Sequence, residues 1–260
     1  MNEEPDKKQR RGIYLLPNLL TTAALFAGFY SIVAAVDGNF QKAGAAIFVA
    51  MVLDTLDGRV ARLTKTTSQF GKEYDSLSDM VSFGLAPAIV VYQWGVARLA
   101  EWNVTWGRVG WLVAFLFAVA AALRLARFNS QVSTADKRWF VGLPSPSAAG
   151  LVAAFVWLSS KVGVSGLGGL AGAFVVTAVA GGLMVSDFRY YSFKELNLGR
   201  RIPFTWMVAI PLIFMIVSID PPLVFLLMFG GYALSGPALW YWRRRRRRGR
   251  SAAKAVRDDE

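Results

Sequence analysis

The sequence predicts an all-α, polytopic membrane helix bundle of about eight transmembrane helices. Three observations carry that prediction. Of the 260 residues, 55% are hydrophobic, above the roughly 45–50% usual for a soluble domain. The apolar residues collect in blocks of about 20, the helix length that crosses a hydrocarbon core. Lys and Arg gather on every second connection between blocks, as in a multi-pass chain.

Eight blocks are read, at roughly 15–36, 43–63, 77–97, 107–126, 146–161, 167–185, 202–219 and 221–241. The first follows the charged stretch Lys7–Arg11 and has no A-x-A-like exit, so it reads as a span and not a cleavable signal. The second ends in Asp54 and Asp57, and the third opens on Asp75 and Asp79. The fourth runs from the aromatic cluster Trp94, Trp102, Trp106 and Trp111, an interfacial anchor, to Arg124 and Arg127. The fifth is the shortest, and Pro144-Ser145-Pro146-Ser147 at its start are read as a stiff turn. Gly163, Gly166, Gly168 and Gly169, around the start of the sixth, suit a loop with close helix packing. The polar, aromatic segment 187–201 is expected along the inner interface. The last two spans end at Trp240-Tyr241-Trp242, before a basic tail.

This divides the chain into an N-terminal segment 1–14, a core 15–200 of six spans with its inner loop, two further spans in 201–241 and a tail 242–260. With both termini in the cytoplasm, 25 of the 29 Lys and Arg fall on the inner side and four on the outer. An odd number of spans would put the nine charges of the tail outside, against the positive-inside rule. The expected location is the cell membrane, with the acidic inner loop facing the cytoplasm. The arginine run Arg243–Arg248 suits a stop-transfer anchor or anionic headgroups. Its place beside a span argues against nucleic acid.

The chain has no cysteine and no histidine. Thiolate sites, disulfides and imidazole catalysis are thereby excluded, and any metal must sit on oxygen ligands. A general base must be a carboxylate, Lys or Tyr.

The chemistry concentrates around the loop 63–74. A charge inside a span costs roughly 2.5–3.5 kcal/mol on insertion scales, yet four aspartates flank this one loop. Asp54, Asp57, Gly58, Ala61 and Arg62 share a helix face, and Asp75 and Asp79 share another at i and i+4. An antiparallel pair of helices brings the faces together. Mutual repulsion among four carboxylates calls for a divalent cation. Gly58 and Ala61 clear bulk beside the acids so that a nucleotide can lie against the backbone. Arg62 supplies a cation for phosphate, Gly71 permits close approach, and Thr66, Thr67 and Ser68 offer hydroxyls.

The spacing is D-x-x-D-G-x-x-A-R-x8-G-x-x-x-D-x-x-x-D, from Asp54 to Asp79. It resembles the CDP-alcohol phosphotransferase family, with all eight fixed positions matched. That resemblance implies a six-helix membrane core, a homodimer, Mg2+ or Mn2+ as cofactor, and cleavage of a CDP-alcohol with release of CMP. By position, Asp54, Asp57 and Asp75 look like metal ligands, and Asp79 looks like the base for the acceptor hydroxyl and a further ligand. Gly58, Ala61, Arg62, Ser68 and Gly71 look like contacts for the CDP lipid. Asn18 and Thr21, in Pro17-Asn18-Leu19-Leu20-Thr21, are similar to the family's nucleotide-side entry segment.

Further stretches, Ser82–Ala88, Leu123–Asn129 and Gly142–Ser147, resemble the bacterial and archaeal membrane-type branch that transfers the phosphatidyl group of CDP-diacylglycerol to L-serine. The resemblance covers most of residues 13–200. Arg124 and Arg127, with Asn129 close by, are the candidates for the serine carboxylate, and Arg189 is a weaker one. Glycerol 3-phosphate, inositol phosphate and choline are the competing acceptors, which the aspartate motif does not separate. An ion-coupled transporter also places carboxylates in a membrane, but near the midplane and on inverted repeats. Neither feature is visible here.

Overall fold

The computed structural model describes residues 15–64, 66–97, 103–130, 139–164, 166–191 and 204–258. The N-terminal segment, Lys65, Arg98, Trp102, Lys137, Arg138 and the stretch with Lys194, Arg200 and Arg201 lie outside the described residues. The helices are α1 Leu15–Val36, α2 Phe40–Leu63, α3 Gln69–Asp79, α4 Ala86–Trp94, α5 Val104–Ser130, α6 Ser145–Val162, α7 Leu167–Val185, α8 Phe204–Ile219 and α9 Pro221–Asp258. A π-helical turn, Met80–Leu85, joins α3 to α4 without a break. Each of the eight expected blocks therefore coincides with one helical rod. Among the described residues, four stretches, Leu16–Val36, Thr105–Ser130, Leu167–Val185 and Pro221–Trp242, are long and apolar enough to cross a membrane by length and composition alone. α2 is diluted by its acids and arginines, and α8 is 16 residues long.

The outside of the bundle is apolar. Phe26, Phe29, Val33, Phe115, Leu116, Val175, Val179, Phe214 and Met215 are all exposed. A soluble monomer rarely shows apolar surface on this scale, whereas hydrocarbon solvates it. The inside is made of small residues. Ala43, Ala50, Ala86, Ala121, Ala148, Ala149, Ala153, Ala154, Ala173 and Ala180 are fully buried, around Ile47, Phe83, Val90 and Phe117. Small side chains let helices approach closely where no hydrophobic force drives them together.

α1 and α2 form the most extensive helix pair. Gly38, at φ 75°, closes the turn between them, its N–H donating to Ala35 O and that of Asn39 to Ala34 O. α1 then packs on α3 and the π turn. Ser78 Oγ donates to Thr21 O at 3.3 Å and Ser82 Oγ to Ala24 O at 3.2 Å. A Cβ on Gly28 would run into Ser82, 2.8 Å from its Cα. These contacts fix α1 against the acidic helix and the π turn.

The π turn was not expected from sequence, and it has a local cause. Pro87 brings no N–H to the ladder and its ring crowds the carbonyl four residues earlier. The ladder widens just upstream, where the Ala86 N–H donates to Val81 O. Such turns recur at functional sites, and this one begins at the residue after Asp79.

A second departure from the all-helical expectation is a short antiparallel ribbon. β1, Trp139–Val141, pairs with β2, Arg189–Tyr191. It joins the α5–α6 connection to the one after α7. At the opposite end of the bundle, Lys161 at the end of α6 pairs with Asp220 between α8 and α9, at 3.0 Å. α9 also runs further than its apolar block. The helix continues through the arginines to Asp258, so the basic tail is a helical extension of the last span.

Candidate active site

Two helix ends and one capped loop build the site. α2 ends at Leu63, and Ser68 restarts the chain as the N-cap of α3, its Oγ accepting from the Gly71 N–H at 2.9 Å. This cap satisfies one of the orphan donors of the first turn. A Cβ at Gly71 would stand 3.1 Å from Ser68 Oγ and 3.5 Å from Asn18 Oδ1. Asn18, Ser68 and Gly71 thus meet where α1 and α3 begin.

The expected meeting of the two acidic faces is present. One carboxylate oxygen from each of Asp54, Asp57 and Asp75 lies within 4.8 Å of the others. Asp79, one turn beyond Asp75, lies against Asp54 and within Coulombic reach of Asp75 and Arg124. The donors are all carboxylate oxygens, the hard ligands that Mg2+ and Mn2+ select. Three of them converge as one ion requires, so the residues fit a divalent metal.

The partner of Asp57 was not foreseen in this role. Thr21, on α1, is buried, and its Oγ1 stands 2.5 Å from Asp57 Oδ2 and 3.1 Å from Pro17 O. A hydroxyl has one proton, and a short bond to an ionised oxygen is about twice as strong as one to a neutral carbonyl. The proton therefore goes to Asp57. Thr21 was grouped with the nucleotide contacts; here it is turned toward a carboxylate. Thr22, its neighbour, shares a 2.9 Å hydrogen bond with Tyr74 on α3.

Gly58 and Arg62 lie on the same helix as Asp54 and Asp57. A Cβ built on Gly58 meets no protein atom within 4 Å, so its backbone is open along that face. Arg62, in the last turn of α2, is exposed, and Ala61 is partly buried.

The three residues assigned to the acceptor separate. Arg124, partly buried on α5, donates through Nη1 to Ser145 Oγ at 2.7 Å, lies 5.7 Å from the centre of the Phe128 ring, and faces Asp79. Arg127 forms a salt bridge with the exposed Asp187 at 3.0 Å. Asn129 Nδ2 donates to Ser76 Oγ at 2.9 Å, which ties α5 to α3. Arg124 alone of the three is beside the aspartates. Ser145, fully buried at the start of α6, was read only as part of a turn. Nothing local in the sequence separates it from Ser147.

Residues 14–184 match the model of the CDP-alcohol phosphatidyltransferase family. The chain belongs to that family. A protein of Helicobacter pylori (strain ATCC 700392 / 26695) named CDP-diacylglycerol–serine O-phosphatidyltransferase is 38% identical over 231 residues, 88% of this chain and 92% of that protein. One of the same name from Mycobacterium tuberculosis (strain ATCC 25618 / H37Rv) is 41% identical over 147 residues, 54% of this chain and 49% of its own length. An archaetidylserine synthase of Methanothermobacter thermautotrophicus is 37% identical over 177 residues, covering 67% of this chain and 69% of that protein. The family match takes in all four aspartates, Arg124 and Ser145, and ends before the β2 strand.

Proposed function

We propose that this member of the family is a membrane enzyme that transfers the phosphatidyl group of CDP-diacylglycerol to L-serine and releases CMP. The observation that carries the reading is the convergence of Asp54, Asp57 and Asp75 on one point with Asp79 and Arg124 beside them. The names of the relatives supply the acceptor.

Asp54, Asp57 and Asp75 would hold Mg2+ or Mn2+, with Asp79 available as a further ligand. The bound cation would neutralise pyrophosphate charge and make CMP a better leaving group. The remaining work falls to the chain. Asp79 accepts the proton of the serine hydroxyl as its oxygen attacks the phosphorus of the phosphatidyl group. The phosphorus–oxygen bond to CMP breaks, and CMP leaves with that bonding pair. Arg124, one α-helical rod away from Asp79, receives the serine carboxylate on a planar fork that suits it. Gly58, Ala61 and Arg62 line the donor side, Asn18, Ser68 and Gly71 close its edge, and Thr21 holds Asp57 in place. A single in-line displacement inverts the configuration at phosphorus.

The chemistry belongs at the cytoplasmic face of the cell membrane. This assignment rests on the bias of Lys and Arg toward the connections at the aspartate end. The catalytic core is taken as residues 15–200, with the two last spans appended and the chain working as a homodimer.

The test is CMP release by the purified full-length protein from CDP-diacylglycerol with Mg2+ or Mn2+. L-serine, glycerol 3-phosphate and inositol phosphate are offered in parallel, with Asp79→Asn as control. CMP and phosphatidylserine formed only with L-serine, and lost in the variant, support the reading. Turnover with another acceptor overturns the choice of serine, and no turnover from folded protein overturns the whole.

A further inference from the structure

The stretch Gly142–Ser147 and the ribbon beside it take no part in the chemistry above, yet they lead to Arg124. β1 runs into Gly142, whose N–H donates to Phe188 O at 2.9 Å, and the Leu143 N–H donates to Leu183 O at 2.9 Å. Gly142 stands at φ 79°, and a Cβ on it would lie 2.2 Å from Met184 O. Only glycine lets the chain pass the end of α7 this closely. Pro144 and Pro146 then flank Ser145 at the entry to α6, each with its φ held by the ring. The backbone on both sides of Ser145 is therefore fixed.

The far strand of the ribbon is held by α9, which lies outside the family match. Pro237 interrupts α9 and leaves the carbonyl of Ala233, four residues earlier, without its helical donor. The Tyr190 hydroxyl of β2 donates to that carbonyl at 3.0 Å, and Gly236 leaves room for the Tyr190 ring, which a Cβ there would strike. The Tyr232 hydroxyl donates to Tyr191 O at 3.0 Å. Through these bonds α9 sets the height of the ribbon, and the ribbon sets that of Ser145.

Ser145 Oγ, fully buried, accepts from Arg124 Nη1 at 2.7 Å. The Arg124 guanidinium also lies over the Phe128 ring, 5.7 Å from its centre. A planar group held at one edge and against one face has both its tilt and its in-plane rotation set. Two contacts of α5 with the acidic rod give its level. Asn129 Nδ2 meets Ser76 Oγ at 2.9 Å, and a Cβ on Gly84 would lie 3.2 Å from Ala121 Cβ. Numbers rise on one rod as they fall on the other. Ala126 is thus opposite Asp79, and Arg124 is about 3 Å further along the helix axis. Arg127, at the same level, is taken by Asp187.

We propose that Ser145 is a positioning residue for the acceptor, holding the Arg124 guanidinium in one orientation at the level of the aspartates. The ribbon and α9 are the frame that keeps Ser145 there. The proposal rests on the reading of Arg124 as the group that receives the acceptor.

The experiment measures kcat and KM, for L-serine and for CDP-diacylglycerol separately, in the full-length enzyme and its Ser145→Ala, Ser145→Cys and Ser147→Ala variants. Cysteine keeps the shape of serine, but its sulfur is a weak acceptor. The expected result is a KM for L-serine raised about tenfold in both Ser145 variants, the size of one hydrogen bond to a charged group. Their KM for CDP-diacylglycerol stays near wild type, and Ser147→Ala matches wild type in both. Arg124→Lys has no fork to orient, so adding Ser145→Cys to it costs much less than Ser145→Cys costs alone. A wild-type KM for L-serine in Ser145→Cys, equal rises in both KM values, or additive losses with Arg124→Lys overturn the proposal. If Ser145→Ala does not fold, the cysteine variant carries the same readout. Turnover of another acceptor by wild type defeats the choice of serine alone, and the KM of that acceptor becomes the readout. No turnover from folded wild type defeats the reading of the site, and the proposal with it.

Discussion

Replacing Thr21 by Val removes one hydroxyl and keeps the shape of the side chain. In the wild type that hydroxyl lies 2.5 Å from Asp57 Oδ2 in a buried setting. A hydrogen bond to a charged group contributes about 1.5–3 kcal/mol net, which converts to roughly 10- to 150-fold in an equilibrium constant. The bond forms whether or not a cation is bound, so only its orienting share appears in metal affinity. Loss of an orienting partner from a ligand weakens metal binding by about 10- to 100-fold, and the lower half of that range is expected here. The assay is CMP release against Mg2+ or Mn2+ concentration. The half-activating concentration should rise about tenfold or more in Thr21→Val. The rate at saturating metal should recover most of the wild-type value, and Thr21→Ser should restore the midpoint. A folded Thr21→Val protein with an unchanged midpoint would refute the orienting role. A rate that stays low at every metal concentration would show that Thr21 acts on the nucleotide instead.

Gly58→Ala should leave the fold intact or slightly firmer, by about 0.5–1 kcal/mol for a helix interior, because no protein atom lies within 4 Å of the added methyl. The KM for CDP-diacylglycerol should rise several-fold all the same, read as a normal melting temperature with a weakened donor. Tyr190→Phe should lower stability by about 1–3 kcal/mol by orphaning Ala233 O. Adding Pro237→Ala should recover part of that loss by returning a helical donor to the carbonyl, measured by thermal unfolding in detergent. At the opposite end of the bundle, the bond from the Lys161 ammonium holds the Asp220 carboxyl below its ordinary range. A carboxyl depressed in the folded state stabilises above its unfolded value and loses that contribution as pH falls through the folded one. Lys161→Met should therefore melt below wild type at neutral pH, and the gap should close on acidification below about pH 4.

The sequence by itself determined most of the architecture. Blocks of about 20 apolar residues can satisfy their backbone in a bilayer only as helices, so all eight rods were legible without coordinates. The aspartate spacing was legible too. Periodicity places Asp54 and Asp57 on one face and Asp75 and Asp79 on another, and a short loop forces the faces together. Tertiary structure alone decided what lies across from these faces. Thr21 turns to Asp57 because Gly28, Ser78 and Ser82 let α1 sit against α3 at one height. Arg124 faces Asp79 while Arg127 pairs with Asp187, although both lie within one turn of α5. Ser145 reaches Arg124 from a position 21 residues away. Local patterns describe the residues along one helix. Which helix stands opposite, and at what height, is set by small-residue contacts, a proline-freed carbonyl and the ribbon that fills it, and those partners are distant in the chain.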